Sequence, residues 1–194
     1  ETKTKKVLEK ARHGILFIDE AFSLVTNTSG NDFGKQAIDT ILKFMEDERD
    51  SFCVIAAGYS EEMKQFLHSN PGLQSRFTHH FYFNDYSPPE LSEIFSLLCK
   101  KGSYVVDEKV HQHLDEHLSL LYQQRDGNFG NGRLVRNIFE KITQIQSSRI
   151  INIESPTRED LTGITEADVL NYLEDANSQA DKAARTNAPG KIGF

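Results

Sequence analysis

The sequence has few cysteines, the residues that form disulfides, and no tryptophan. Its 194 residues include two cysteines, Cys53 and Cys99. Cys53 lies in an apolar run and Cys99 in an amphipathic one, far apart in the chain, which favours buried free thiols over a disulfide or a zinc site. Free thiols are typical of a reducing compartment. We therefore expect a cytoplasmic protein.

Long hydrophobic runs are missing as well. No apolar stretch approaches the roughly 20 residues that cross a bilayer, and the N-terminal residues lack the apolar segment of a secretory signal. One glycosylation sequon, Asn27-Thr28-Ser29, is present, but such triplets arise by chance and a cytoplasmic chain would not use it. These absences predict a soluble protein with no membrane span.

Basic residues are outnumbered by acidic ones. The 22 lysines and arginines face 29 aspartates and glutamates, which gives a formal net charge of −7. This balance opposes binding to a phosphate backbone, so we expect no nucleic-acid partner. Because 38% of the residues are hydrophobic, the chain has enough apolar surface for one core or two small ones, and we expect a globular fold.

The first part of the chain alternates short apolar runs with amphipathic segments. Strands are predicted at Ile15–Ile18, Phe52–Ala57 and Phe81–Phe83, helices at 2–12, around 37–45 and at 61–67, and a turn at Pro71-Gly72. This alternation is typical of an open α/β sheet with right-handed crossovers, whose strands are buried on both faces. Three strands are too few for a complete domain of this type.

The composition changes after Pro88 and Pro89, and the strand signal nearly vanishes. Helices are predicted at 91–100, 107–123, 134–150 and 166–175, with Thr165 and Asp168 forming a capping box at the last one. The polar residues that follow are predicted to form a mobile tail. This second part is therefore predicted to be an all-helical lobe.

Two adjacent acids, Asp19 and Glu20, directly follow the first predicted strand. In open parallel sheets, ligands bind at the carboxyl ends of the strands. One interpretation is a Walker B element, in which Asp19 holds Mg²⁺ through water and Glu20 polarises the water that attacks a γ-phosphate. The alternative is that two acids emerge into solvent where a strand ends.

Arg76 lies just before the third predicted strand, in the segment 70–77. In ring ATPases this place in the order of elements belongs to the arginine finger, a planar cation that reaches the nucleotide of the neighbouring subunit. Taken alone, Arg76 fits an ordinary surface arginine far better. Its position one strand and one helix after the acidic pair favours the finger.

Arg133 follows the glycine-rich turn Gly130-Asn131-Gly132 and falls in the first turn of a predicted helix. The helix dipole favours anions at that end, so a cation there fits a role in reaching an anion rather than in capping. The alternative is that Arg133 pairs with a nearby acid such as Asp126.

The motifs together resemble the CbxX/CfxQ family of AAA+ proteins. The matching pieces are Gly14–Leu24, Asp32-Phe33-Gly34, Ala37-Ile38-Asp39, Met45-Glu46-Asp47, Ala57-Gly58-Tyr59, Asn70–Phe77 and Gly130–Asn137. The resemblance implies the C-terminal part of a parallel-sheet αβα subdomain over residues 1–86, an all-helical lid over 87–178 and a flexible tail over 179–194. It also implies a hexameric ring that uses ATP and Mg²⁺ to remodel a protein client.

The resemblance also assigns roles to single residues. Asp19 and Glu20 match the Walker B acids, Arg76 the arginine finger and Arg133 the second sensor. Arg136 is the alternative for that last role. The position of the first sensor falls on Tyr59, whose hydroxyl is able to hold the lytic water.

The phosphate-binding loop of the family, Gly-x-x-x-x-Gly-Lys-Ser/Thr, does not occur in the sequence. The segment 30–35 has glycines that are too close together, and it follows the acidic strand instead of preceding it. Because the sequence begins within a predicted helix, we expect it to be a fragment that is inactive by itself. The alternative function is a non-hydrolysing protein-interaction module, or a degenerate AAA+ domain without the loop.

Two side-chain clusters are predicted to be structural. One predicted helix carries His111, His113 and His117. Because no further ligand converges on these histidines, a solvated helix face is favoured over a zinc site. The second cluster is aromatic and is predicted to pack in a core: Phe77, Phe81, Tyr82, Phe83 and Tyr86.

Overall fold

The computed structural model describes residues 2–26, 33–127 and 129–186, and it divides into two compact units, Glu1–Phe83 and Asn84–Phe194. The sequon at 27–29, Asp32 of the family motif and the end of the predicted tail lie outside the described residues. None of the helices in the described ranges is both long and apolar enough to span a bilayer.

The first unit contains a two-stranded parallel sheet with helices around it. In chain order its elements are α1 (Thr2–Lys10), β1 (Ile15–Ile18), α2 (Ser23–Thr26), α3 (Phe33–Asp47), β2 (Cys53–Ala56), α4 (Ser60–His68) and α5 (Pro71–Arg76). The strands pair in parallel, from Ile15 opposite Cys53 to Ile18 opposite Ala56. The core is formed by Ala21, Ile38, Leu42, Phe66 and Leu73.

The strands are not buried on both faces, as the sequence predicted. Ile18 and Ala56 pack against the core, whereas Ile15 and Phe17 are 63% and 60% exposed. Successive side chains of a strand point to opposite faces, and the described residues cover only one face of this sheet. For the same reason Cys53 is exposed, contrary to prediction.

The predicted third strand at Phe81–Phe83 is not formed. The residues from 77 to 87 belong to no helix or strand, and Phe83 is 96% exposed. A strand forms only against a neighbour, and none of the described strands pairs with this segment. The prediction that Phe81, Tyr82, Phe83 and Tyr86 are core residues is therefore wrong; Phe77 alone packs, with its ring 6.3 Å from Phe66.

The predicted turn at Pro71-Gly72 is the first turn of α5. Oδ1 of Asn70 accepts a hydrogen bond from the amide of Gly72 at 2.8 Å. Pro71 occupies the first helical position, where its missing amide hydrogen removes no intrahelical bond. The helix carries Arg76 at its last position.

The second unit is the predicted helical lobe. Its elements are α6 (Pro88–Lys101), β3 (Val105–Val106), α7 (Glu108–Gln123), α8 (Asn131–Ile150), α9 (Arg158–Thr162), β4 (Gly163–Ile164) and α10 (Glu166–Thr186). The paired strands β3 and β4 are too short to give a periodic signal, and the sequence analysis missed them. Helix α10 runs past its predicted end at Asp175 because the next residues are rich in alanine and contain no glycine or proline.

The core of the second unit is apolar and includes one predicted thiol. Cys99 is buried among the side chains of α6, α7, α8 and α10. Burial raises the pKa of its thiol to about 11, so the group stays protonated and unreactive at neutral pH. The prediction of a buried free thiol is confirmed for Cys99.

The histidines of α7 do not form the solvated face that was predicted. Nε2 of His113 lies 3.1 Å from a carboxylate oxygen of Glu166, and the ring of His117 packs edge-on against Tyr172 at 5.6 Å. Burial lowers the pKa of His117, which keeps its ring neutral at neutral pH. Both residues are half-buried because α10 covers this side of α7.

A polar network joins the end of α8 to the start of α10. The guanidinium of Arg149 donates to both carboxylate oxygens of Asp168, at 2.9 and 3.0 Å, and to the carbonyl of Gly163 at 3.1 Å. The buried amide of Gln146 donates to the carbonyls of Asp160 and Leu161. These hydrogen bonds give partners to backbone carbonyl groups in the connection between α8 and α10.

Asp168 also forms the predicted capping box, which is confirmed. Its carboxylate accepts hydrogen bonds from the amide and the hydroxyl of Thr165, at 2.9 and 2.8 Å. Burial by itself raises the pKa of Asp168, but the bonds from Arg149 and Thr165 outweigh it and hold the pKa below its ordinary value. The resulting stabilisation is present above the unfolded pKa of about 3.9 and is lost as the pH falls through the lower folded pKa.

We predict that Arg149→Met destabilises the protein by about 2–3 kcal/mol, because it leaves a buried carboxylate without its cation. The side chain of Asp168 is 1% exposed and that of Arg149 is 31% exposed, so the cost falls below that of a fully buried pair. Urea unfolding measures it. Arg158→Met, at an exposed position of α9, is the control, and equal midpoints for the two variants would contradict the prediction.

Candidate functional site

The carboxyl ends of β1 and β2 meet at one edge of the sheet. Beyond the strands, the amide of Ala57 donates to the carbonyl of Ile18 at 2.8 Å, and the amide of Ala21 donates to the carbonyl of Ala57 at 3.0 Å. Ala21 is fully buried. The acidic pair between Ile18 and Ala21 is therefore held on both sides by bonds to the neighbouring strand.

The turn formed by Asp19 and Glu20 has an uncommon backbone conformation. Glu20 has φ of 48°, in the left-handed region, and its amide donates to Oδ1 of Asp19 at 3.1 Å. Left-handed geometry costs a non-glycine residue about 1–2 kcal/mol, and such strain concentrates at functional sites. Both acids are exposed, and neither carboxylate forms an ion pair with the described basic residues.

Tyr59 lies at the same edge, two residues after the pairing at Ala57. Its side chain is 63% exposed, and its ring centroid is 6.4 Å from that of Phe22, which closely follows the acidic turn. Gly58 permits this approach, because a Cβ there would lie 2.9 Å from the sulfur of Met63 and 3.0 Å from Phe22. The structure therefore places Tyr59 beside Phe22, two residues after Glu20.

Arg76 is not directed towards solvent. Its Nη2 donates to Oε2 of Glu46 at 2.7 Å, which connects the end of α5 to α3. The loop before α5 is connected to α3 as well, since the side-chain Nδ2 of Asn70 donates to Oδ1 of Asp39 at 3.4 Å. Glu46 lies in the motif Met45-Glu46-Asp47, but the sequence does not indicate its contact with Arg76, because residues 30 positions apart show no periodic relation.

Arg133 and Arg136 lie in the first two turns of α8, in the second unit. Both side chains are exposed. Arg133 makes no ion pair with the described acids, so the pair with Asp126 that was its alternative explanation is not formed. No described acid pairs with either guanidinium group. Both groups are therefore available to bind an anion that does not belong to the described part of the chain.

Asn131 is a positioned residue that the sequence analysis missed. Its backbone has φ of 51°. Oδ1 of Asn131 accepts from the amide of Tyr86 at 3.1 Å, and Nδ2 donates to Asp85 at 3.2 Å. An asparagine between two glycines was the available signal, because asparagine tolerates left-handed geometry. Its side chain ties the segment before α6 to the turn that carries Arg133.

Substitutions at Asn131 separate its two contributions. Asn131→Gly keeps the left-handed backbone and loses two hydrogen bonds, which we predict to cost about 1–2 kcal/mol. Asn131→Ala loses the same bonds and adds the steric cost of the left-handed backbone, about 1–2 kcal/mol more. Urea unfolding of both variants checks the difference. Equal stabilities would show that the backbone conformation does not depend on this residue.

Two protein families match the chain and together cover nearly all of it. Residues 1–85 match the ATPase family associated with various cellular activities, abbreviated AAA. Residues 87–183 match the AAA lid domain. The observed α/β part followed by a helical lobe agrees with this pair of families, as the sequence analysis predicted.

The similar proteins include a sporulation protein and proteins named CbxX and CbbX. The stage V sporulation protein K of Bacillus subtilis is 40% identical over 179 residues, which are 92% of this chain and 55% of that protein. The plasmid-encoded protein CbxX of Cupriavidus necator is 37% identical over 96% of the chain and 58% of its own length. The protein CbbX of Cereibacter sphaeroides is 37% identical over 79% of the chain and 49% of its own length. The chain thus spans about half the length of the curated relatives it matches.

Proposed function

The chain belongs to the CbxX/CfxQ family of AAA+ ATPases, and from that premise we propose that the whole protein hydrolyses ATP as a hexameric ring that remodels a protein client. The observation that carries the proposal is the edge where β1 and β2 end. A strained turn there presents two exposed acids, Asp19 and Glu20, and Phe22, which follows the turn, contacts Tyr59. The family suggests the ring and the protein client. The residues at this edge of the sheet are the proposed site of ATP hydrolysis.

The donors at this edge fit a hydrated magnesium ion. Mg²⁺ prefers oxygen ligands, keeps several waters and is typically held by one or two carboxylates. Asp19 is the proposed ligand, through water. With Mg²⁺, ATP would supply the phosphoryl group that is transferred to water.

Glu20 and Tyr59 are proposed to act on that water. A carboxylate accepts a hydrogen bond from water, orients it and takes up its proton as the reaction proceeds. A tyrosine hydroxyl both donates and accepts hydrogen bonds. Tyr59, which follows β2, is therefore proposed to bind the same water. In this proposal, Asp19 binds the magnesium ion, and Glu20 and Tyr59 bind the attacking water.

The arginines are proposed to complete the site from other parts of the protein. Arg76 would serve the nucleotide of a neighbouring subunit, and Arg133, or Arg136 in its place, would contact the phosphates from the lid. Residues 1–86 then form the nucleotide-binding part and residues 87–178 the lid. The sequence contains no phosphate-binding loop, and the remaining length of a longer protein would supply it.

The first test is Glu20→Gln in the full-length protein. The amide cannot take up a proton, so we expect ATP hydrolysis to fall by at least about a hundredfold while nucleotide affinity is kept. Steady-state hydrolysis and equilibrium binding of ATP measure the two effects. Glu61→Gln, at an exposed position of α4, is the matched control. Normal turnover by the Glu20 variant would remove this residue from the chemistry.

The second test concerns sharing of sites between subunits. Arg76→Ala subunits mixed with wild-type subunits should lower ATPase activity by more than their fraction, because each one impairs its neighbour. Arg158→Ala, at an exposed position of α9 that has no role in the proposed site, is the control. Activity that declines in proportion to the variant fraction would argue against a shared site.

A further inference from the structure

The guanidinium of Arg76 is turned back onto its own unit. Nη2 lies 2.7 Å from Glu46, and Nη1 lies 3.5 Å from the carbonyl oxygen of Gly72, one turn earlier in α5. Only 29% of the side chain is exposed. In this conformation the cation is engaged within its own chain. To contact an anion elsewhere, Arg76 has to leave Glu46.

The carboxylate that holds Arg76 is shared with a second cation. Oε1 of Glu46 binds Arg49 at 2.7 Å, while Oε2 binds Arg76. The two guanidinium groups repel each other, so Arg76 is held less strongly than it would be if Glu46 bound no second cation. An anion with several charges and a geometry that accepts two parallel N–H bonds is therefore a strong competitor for Arg76.

A third feature of Arg76 also favours its release. Its Nε is buried and has no hydrogen-bond partner among the described residues. A buried N–H without an acceptor costs free energy, because the group has lost its bond to water. An oxyanion that accepts from Nε and a terminal nitrogen removes this cost, so the contact with Glu46 is not the best one open to the side chain.

We propose that Glu46 is a positioning residue that holds Arg76 within its own subunit until a phosphate in the neighbouring site takes the guanidinium over. The inference rests on the proposed function, in which Arg76 serves an adjacent subunit. Exchange of the carboxylate for the phosphate then forms part of the barrier to hydrolysis. Glu46 restrains the reaction without contacting the reacting atoms.

The test uses Glu46→Gln in the full-length protein, a change that keeps the side-chain size and removes its charge. We expect the kcat for ATP hydrolysis to rise about two- to fivefold, the range that a partly exposed ion pair represents, with an unchanged KM. The rise should vanish in an Arg76→Ala background, because Glu46 acts only through Arg76. Arg49→Gln is the matched control. This substitution removes the second cation from Glu46, so Arg76 is held more strongly. The ATPase activity of the variant should stay at or below that of the wild type.

The outcomes separate this inference from the function on which it rests. If Arg76→Ala alone leaves hydrolysis intact, Arg76 serves no nucleotide site and the trans-acting role fails. If Arg76→Ala abolishes hydrolysis but Glu46→Gln leaves kcat unchanged or lowers it, Glu46 does not restrain Arg76 and the inference is wrong. A purely structural Glu46 would lower Tm and kcat together. A rise in kcat that persists in the residual activity of the Arg76→Ala background would also overturn the proposal.

Discussion

The parallel register of β1 and β2 is the constraint on which the first unit depends. With Ile18 opposite Ala56, the two strands end together, and the bonds of Ala57 to Ile18 and Ala21 continue the pairing around the acidic turn. A slip of one residue would exchange the two faces of a strand, bury Phe17 in place of Ile18 and displace the acids from Tyr59. Ala21, which follows the acidic turn, is fully buried in the core of this unit.

Two arginines show how the surroundings of one side chain decide what it does. Arg149 reaches both oxygens of a buried carboxylate and a carbonyl, so moving it would expose unpaired polar groups on both sides. Arg76 binds one oxygen of an exposed carboxylate whose other oxygen binds Arg49, and its Nε has no acceptor among the described residues. The first arrangement is stable because every partner is satisfied. The second is incomplete, and an incomplete arrangement suits a residue that changes partners.

Much of the fold followed from local patterns in the sequence. The helices of the second unit have apolar stripes of sufficient length, and Thr165 with Asp168 marked a helix start that the structure confirms. The exposure of Ile15, Phe17 and Cys53 did not follow, because the apolar run itself predicts burial and only the tertiary structure shows what covers each face. The contacts of Glu46 with Arg76 and of Asn131 with Tyr86 join residues far apart in the chain. No rule of sequence spacing predicts such pairs.

The uncovered face of the small sheet determines how these residues behave in solution. Ile15, Phe17 and Ile55 form an apolar strip, and the extended aromatic segment at 81–83 carries backbone groups that no described strand pairs with. Open strand edges beside apolar surface are templates for the addition of further strands. Copies of this chain expressed by themselves would therefore tend to associate through this apolar face and the unpaired strand edges.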